Sequence, residues 1–168
     1  MTRSGDLVLR PARHSDLPAL GRLGAALMRS HHGYDPRRFM APGRTPEEGY
    51  AWFLGTQLDE ADAAVFVAEA GGAVAGYAYA TIEPRSWELL CEAAGMLHDL
   101  VVDEGARGAG IGSALLEHTV RWIGGRGVTR VLLYSASPNV HAQRLFERLG
   151  FRRTMVEMTR NLDDESAP

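Results

Sequence analysis

One cysteine, Cys91, stands in a chain of 168 residues. No disulfide can close within the chain, and a reducing compartment is the expectation. Positive charge is not in excess: 18 Lys+Arg face 21 Asp+Glu, for a formal net charge of −3. That balance argues against a surface built for nucleic acid. No run approaches the roughly 18–20 apolar residues of a membrane-spanning helix. The stretch MTRSGDLVLRPARHSD carries no long apolar segment of the secretory kind. Repeats, linkers and low-complexity tracts are absent too. The expectation is one cytoplasmic domain over residues 1–162, without membrane or nucleic-acid partners, and a frayed tail over 163–168.

What is present is a change of period along the chain. LVLRPAR opens as a strand, and Ser15 is placed to cap a helix with Asp16 in its first turn. Leu20, Leu23 and Leu27 then share one helical face. HHGYDPRRFMAPGR, rich in breakers, reads as a loop. Thr45, Pro46 and Glu48 read as N-cap, N1 and capping box of a second helix. AAVFVAEAGGAVAGYAYATIE reads as a hairpin about Gly71-Gly72. MLHDLVVD is a strand, and a helix follows from Gly110 with Leu116, Val120 and Ile123 on one face. TRVLLYSA is another strand. SPNVHAQRLFERLGF is a helix, read with Ser137 as cap and Pro138 at N1, and stopped by Gly150. FRRTMVEMTRNL reads as a last strand. The order implies a mixed α/β (α+β) domain, with a central sheet and helices on both faces.

Glycine is concentrated where a helix should begin. RGAGIG places Gly108, Gly110 and Gly112 at alternate positions after Arg107. A helix N-terminus offers unpaired N–H groups and a partial positive charge, and both favour an anion. Bare glycines let the backbone close around a phosphate, and Arg107 adds a fixed charge. Three phosphate motifs compete. The P-loop fails because Ile111 and Gly112 occupy its Lys and Ser/Thr places. The dinucleotide fingerprint fails at Ser113, and Arg130 stands where its acid belongs. The pattern [QR]-x-x-G-x-[GA] fits without a gap at Arg107, Gly110 and Gly112.

With that pattern the chain resembles the GNAT superfamily of acetyl-CoA-dependent N-acetyltransferases. The resemblance is tightest from Leu97 to Phe151. There L-x-V-x-x-x-x-R-G-x-G-I-G-x-x-L-L is followed by N-x-x-A-x-x-L-F-x-x-L-G-F, from Asn139 to Gly150-Phe151. It implies a mostly antiparallel sheet with a splayed parallel pair, formed by the strands around Leu100 and Leu133. It also implies acetyl-CoA as cosubstrate, no metal, and a small-molecule or protein amine as acceptor. A homodimer is a further expectation, left open.

The resemblance places residues in roles. The backbone of Leu100, Val101 and Val102 would face the pantetheine arm, and the Leu100 N–H would polarise the acetyl carbonyl. Arg107, Gly108, Ala109, Gly110, Gly112 and Ser113 would hold the pyrophosphate. Asn139, Arg144 and Phe146 would contribute from the last helix. Many relatives carry a tyrosine proton donor where this chain has Phe146, which cannot donate. Tyr134 is the substitute, with Ser135 and Ser137 as alternatives, or the thiolate leaves unaided. His98 is the first base candidate and Glu83 the second. Asp99 is expected on the strand face opposite His98, in a structural role. His31, Tyr34 and Asp35 are candidate acceptor contacts. Glu88 is a further carboxylate for a cationic acceptor. Cys91 as acetyl carrier has no base beside it in the sequence. The alternative function is a non-catalytic acyl-CoA-binding regulatory module, which acetyl-CoA turnover would exclude.

Overall fold

A computed structural model describes residues 7–164. Residues 165–168, most of the expected tail, lie outside the described residues. The strands are β1 (Val8–Pro11), β2 (Ala63–Ala70), β3 (Ala73–Glu83), β4 (Ala94–Val102) and β5 (Val131–Leu133). The helices are α1 (Leu17–Tyr34), α2 (Pro46–Gln57), α3 (Ile111–Gly125) and α4 (Val140–Arg148). The five strands form one sheet in the order β1-β2-β3-β4-β5. Neighbours from β1 to β4 are antiparallel, and β4 pairs with β5 in parallel.

Strand alternation divides the core in two. On β2, Phe66 and Ala68 face α3, while Val65 and Val67 face α1 and α2. Ile111, Leu115, Leu116 and Ile123 of α3 complete the first layer with Ala78, Ala80 and Leu97. Leu20 and Leu23 of α1 and Leu54 of α2 complete the second with Tyr77, Tyr79 and Val101. The β2–β3 turn is Gly71-Gly72, both at positive φ, as a two-residue hairpin requires.

Several local expectations are corrected. α1 continues to Tyr34, so His31 and His32 lie in its last turn rather than in a loop. Asp16, not Ser15, anchors its start: its carboxylate accepts from the Arg13 N–H at 2.8 Å and from both terminal nitrogens of Arg10. Thr45 is the N-cap of α2 but makes no side-chain cap hydrogen bond. α4 starts at Val140, because Ala136–Asn139 first closes a turn through Asn139 N–H to Ala136 O. Its cap is therefore Asn139, whose side chain accepts from Ala142 N–H, and not Ser137. Residues 152–161 form no strand. β5 has only three residues, too short an edge to hold a long ladder beside it.

The correction with most consequence is in β4. Tyr79 pairs with Asp99, but Ala80 pairs with Leu97, which leaves His98 as an extra residue in a β-bulge. Alternation breaks there. Leu97 and Leu100 now both pack toward α3. His98 stacks on Tyr79, with ring centroids 4.8 Å apart, and Asp99 accepts a hydrogen bond from Tyr77 at 2.8 Å. Tyr77 and Tyr79 share a face, so His98 and Asp99 do too, contrary to strict alternation. Tyr50 of α2 donates a second bond to the same Asp99 oxygen, at 2.9 Å. Burial pushes the Asp99 carboxyl up, and the two phenol bonds oppose that shift.

Tyr50 reaches Asp99 because α1 yields space. A methyl on Gly24 would lie 2.0 Å from Tyr50 Cδ1, and one on Gly21 would lie 2.4 Å from the Glu47 carbonyl oxygen. In a helix interior alanine is ordinarily about 1 kcal/mol better than glycine. Gly24→Ala should nonetheless destabilise by about 1–3 kcal/mol, as overpacking does. Urea unfolding measures this, and stability equal to or above that of the parent would contradict the Tyr50 packing.

Candidate active site

The site begins where two strands part. The β4–β5 pairing runs from Gly95↔Val131 to Leu97↔Leu133 and stops, while β4 continues to Val102. Asp103 N–H donates to Ala75 O at 2.8 Å. In an antiparallel ladder alternate residues face the partner. Val101 therefore turns its backbone to β3, whereas the N–H groups of Leu100 and Val102 turn to the side that β5 has left. Tyr134 follows β5 and is largely exposed. Ser135, two residues beyond the last paired position, has a buried Oγ with no partner among the described residues. A buried hydroxyl without a partner costs about 1–3 kcal/mol.

β4 leads into the glycine turn. Asp103 starts a short 3-10 turn over Glu104–Ala106, accepting from Gly105 N–H at 3.2 Å and from Arg22 at 2.6 Å. Arg107 Nε donates to Val102 O at 3.3 Å, folding that side chain back over the end of β4. Gly108 and Gly110 adopt φ of 82° and 79°, where a Cβ is strained. Gly110 is the N-cap of α3. Among the described residues, none of the N–H groups from Gly108 through Ser113 meets a protein acceptor. The run includes Ala109 and Gly112. These donors converge on a helix N-terminus, an arrangement suited to pyrophosphate.

α4 closes the far side. A methyl on Gly112 would touch Leu145 and Val102 at 3.5 and 3.6 Å. Phe146 packs against the α3-side core, its ring 6.0 Å from that of Phe151. Arg144 is exposed on α4. The Asn139 side-chain oxygen is committed to its cap, at 3.3 Å from Ala142 N. Gln143, which sequence reasoning passed over, holds the preceding turn by donating to Ala136 O and Ser137 O.

On the other side of the sheet end lies a cleft of about 500 Å³, with Glu83, Glu88, Cys91, Glu92, Met96 and His98 among its walls. His98 Nε2 lies 2.7 Å from Thr81 Oγ1 and 3.9 Å from Glu83 Oε1. Thr81 Oγ1 donates to Glu83 Oε1 at 2.5 Å. Burial lowers the His98 pKa below its ordinary 6.5, against the raising effect of Asp99 and Glu83. The ring is thus neutral near neutral pH and has a lone pair to offer. Cys91 Sγ donates to Glu92 O at 3.2 Å and lies 3.7 Å from Arg130 Nη1.

The structure brings His98 and Glu83 together and does not bring the α1 candidates to them. His31 Nδ1 is 3.0 Å from Leu27 O, and its ring meets Phe39 and Tyr34 edge-on. Asp35 accepts from the N–H groups of Arg37 and Arg38. None of His31, Tyr34 and Asp35 lines the cleft. Thr81 and Glu92 were not anticipated. The only sequence signal for Thr81 was its i, i+2 relation to Glu83, which puts both on one strand face.

Comparison with known proteins bears on the family and the fold. Residues 26–151 match the acetyltransferase (GNAT) family. A mycothiol acetyltransferase of Amycolatopsis mediterranei is 31% identical over 114 residues, covering 64% of this chain and 38% of that protein. The chain thus matches well under half the length of that relative. A Trypanosoma brucei acetyltransferase of known structure is 26% identical with a TM-score of 0.67, covering 94% of this chain and 100% of that one. A Clostridium acetobutylicum predicted acetyltransferase, solved with acetyl-CoA, has a TM-score of 0.70 at 15% identity, covering 96% and 99%. That last likeness is one of fold.

Gly110→Asp adds a strained Cβ and a negative charge to the glycine turn. Coenzyme A affinity should fall by at least about 100-fold, since like-charge contact costs several kcal/mol and 1.4 kcal/mol is tenfold. Titration calorimetry reads the affinity, and circular dichroism checks that the variant is folded. Unchanged affinity would remove the turn from the ligand site.

Proposed function

The chain belongs to the acetyltransferase (GNAT) family, and we propose that it transfers an acetyl group from acetyl-CoA to a primary amine by direct attack. One observation carries the reading: an unpaired β4 edge is followed, after a single 3-10 turn, by N–H groups at the start of α3 that meet no protein acceptor among the described residues. An extended arm ending in a pyrophosphate matches both parts at once. Bound there, acetyl-CoA supplies the thioester carbon that the amine attacks.

Each residue then has a physical task. The Leu100 and Val102 N–H groups hydrogen-bond the arm, and the Leu100 N–H stabilises charge growing on the acetyl oxygen. Gly108 through Ser113 and Arg107 neutralise the pyrophosphate. Arg144, exposed on α4, takes a further phosphate. Ser135 Oγ gains the partner it lacks. Asn139 acts as the cap that fixes α4, and Phe146 acts as core. With a phenylalanine there, no dedicated acid is required, because a thiolate is a tolerable leaving group. Tyr134 is exposed and free to donate if one is used. His98 takes the proton from the amine, directly or through one water. In the neighbouring cleft Arg85 pairs with Glu92, and the remaining carboxylates Glu83 and Glu88 favour an acceptor that arrives as an ammonium. Detection of free thiol with acetyl-CoA and a panel of amines tests the reaction. Tight binding with no thiol release by any amine would favour the regulatory module instead.

The base assignment has a signed consequence. Only neutral imidazole accepts a proton, so kcat should rise with pH through the folded pKa of His98. That pKa lies below 6.5, so the rise is complete before the pH at which an exposed histidine would finish. His98→Gln should lower kcat by about 10²–10⁴-fold and remove this limb, with acetyl-CoA affinity little changed. A limb that persists in the glutamine variant belongs to the acceptor amine, and full activity there removes His98 from the mechanism.

A further inference from the structure

We infer that the proton-accepting atom of His98 is Nδ1, and that Thr81 and Glu83 hold it in that role by keeping the other proton on Nε2. The inference rests on the reading of His98 as base. It starts from the inventory of a hydroxyl group. Thr81 Oγ1 has one proton, and that proton points to Glu83 Oε1 at 2.5 Å. A carboxylate can only accept, so the direction of this bond is fixed. Toward His98 Nε2, 2.7 Å away, the same oxygen has only lone pairs left. Two acceptors cannot face each other at that distance. Nε2 must therefore carry a proton, and in the neutral ring Nδ1 then carries the lone pair.

The surroundings favour the same arrangement. The ring is clamped on Tyr79 at an interplanar angle of 23°, which limits rotation. Nδ1 has no protein partner among the described residues. The ring lines the 500 Å³ cleft, so an acceptor has a route to it. Charged and titratable groups around it come from four places. β3 contributes Glu83, Tyr79 and Tyr77, β4 contributes the buried Asp99, and α2 contributes Tyr50, the second phenol on Asp99. The loop before β4 contributes Glu88, Glu92 and Arg85, with Arg85 paired to Glu92 at 2.8 Å. When an acceptor N–H bond breaks and Nδ1–H forms, the ring becomes an imidazolium. Its Nε2–H still points at Thr81 Oγ1, and the Glu83 carboxylate behind it offsets the new charge. Glu83 is on this account a positioning residue, not a second base.

The test combines a spectrum with kinetics. In protein labelled with 15N-histidine, the His98 ring signals are assigned by their loss in His98→Gln. At pH 7.5 the parent should show the proton on Nε2. Thr81→Val should give a mixture of the two tautomers and a fall in kcat of about 10-fold, a fraction of what a whole base contributes. KM for acetyl-CoA and its affinity should be unchanged, which also shows that the variant is folded. Thr81→Ser should restore both the spectrum and kcat. A proton on Nδ1 in the parent, or parental kcat in Thr81→Val, overturns the inference. The two readings fail separately. An inactive His98→Gln with the parental proton on Nδ1 keeps the base and discards the relay. A fully active His98→Gln discards the base and the relay with it.

Discussion

One buried carboxylate organises the working end of this sheet. Asp99 is 8% exposed and accepts hydrogen bonds from Tyr77 on β3 and Tyr50 on α2. A carboxylate this deep is costly unless it is paired and bonded. Its two phenol partners come from different layers, so the bonds also fix where β4 lies relative to α2. The bulge at His98 lies directly before this anchor and changes which way β4 side chains face on either side of it. It rotates Leu97 and Leu100 onto the α3 side and His98 onto the tyrosine side. Small residues on α1 permit it, because Tyr50 occupies the space beside Gly24.

The bulge and the parting of β4 from β5 act together. A strand losing its neighbour normally exposes a liability, a row of unpaired backbone groups. Here, after one 3-10 turn, come the N–H groups of Gly108–Ser113, which meet no protein acceptor among the described residues. The unpaired edge and the turn thus offer two groups of donors, the second at a helix N-terminus. His98 sits just before the free part of the edge, on the opposite face. A thioester arm laid along the edge would thus bring its reactive end to the level of the histidine, while the acidic cleft opens beside it.

The glycine turn was legible in the residues alone. Arg107, Gly108, Gly110 and Gly112 define a spacing that rival phosphate motifs cannot accommodate, and steric freedom at φ near 80° has no other economical source. The helix stripes and the Gly71-Gly72 hairpin were legible for the same reason: each is a local pattern answered by a local conformation. The last helix was read correctly as a helix but started too early. Ser137 and Asn139 are both good caps, and which one serves depends on the turn that Ala136–Asn139 makes.

The residues by themselves determined the class of fold, the order of elements as far as the last helix and the glycine turn, because periodicity and glycine spacing act over a few neighbours. Tertiary structure alone decided the side-chain geometry around His98. Alternation along MLHDLVVD puts His98 with Leu100 and away from Asp99. The bulge reverses both relations, and a bulge depends on which residues of β3 lie opposite, information that β4 does not contain. Thr81 and Glu83 meet His98 only because β3 and β4 are paired in that register. The expected last strand failed for a related reason. Residues 152–161 have strand-like composition, but a strand needs a partner edge, and β5 offers three residues.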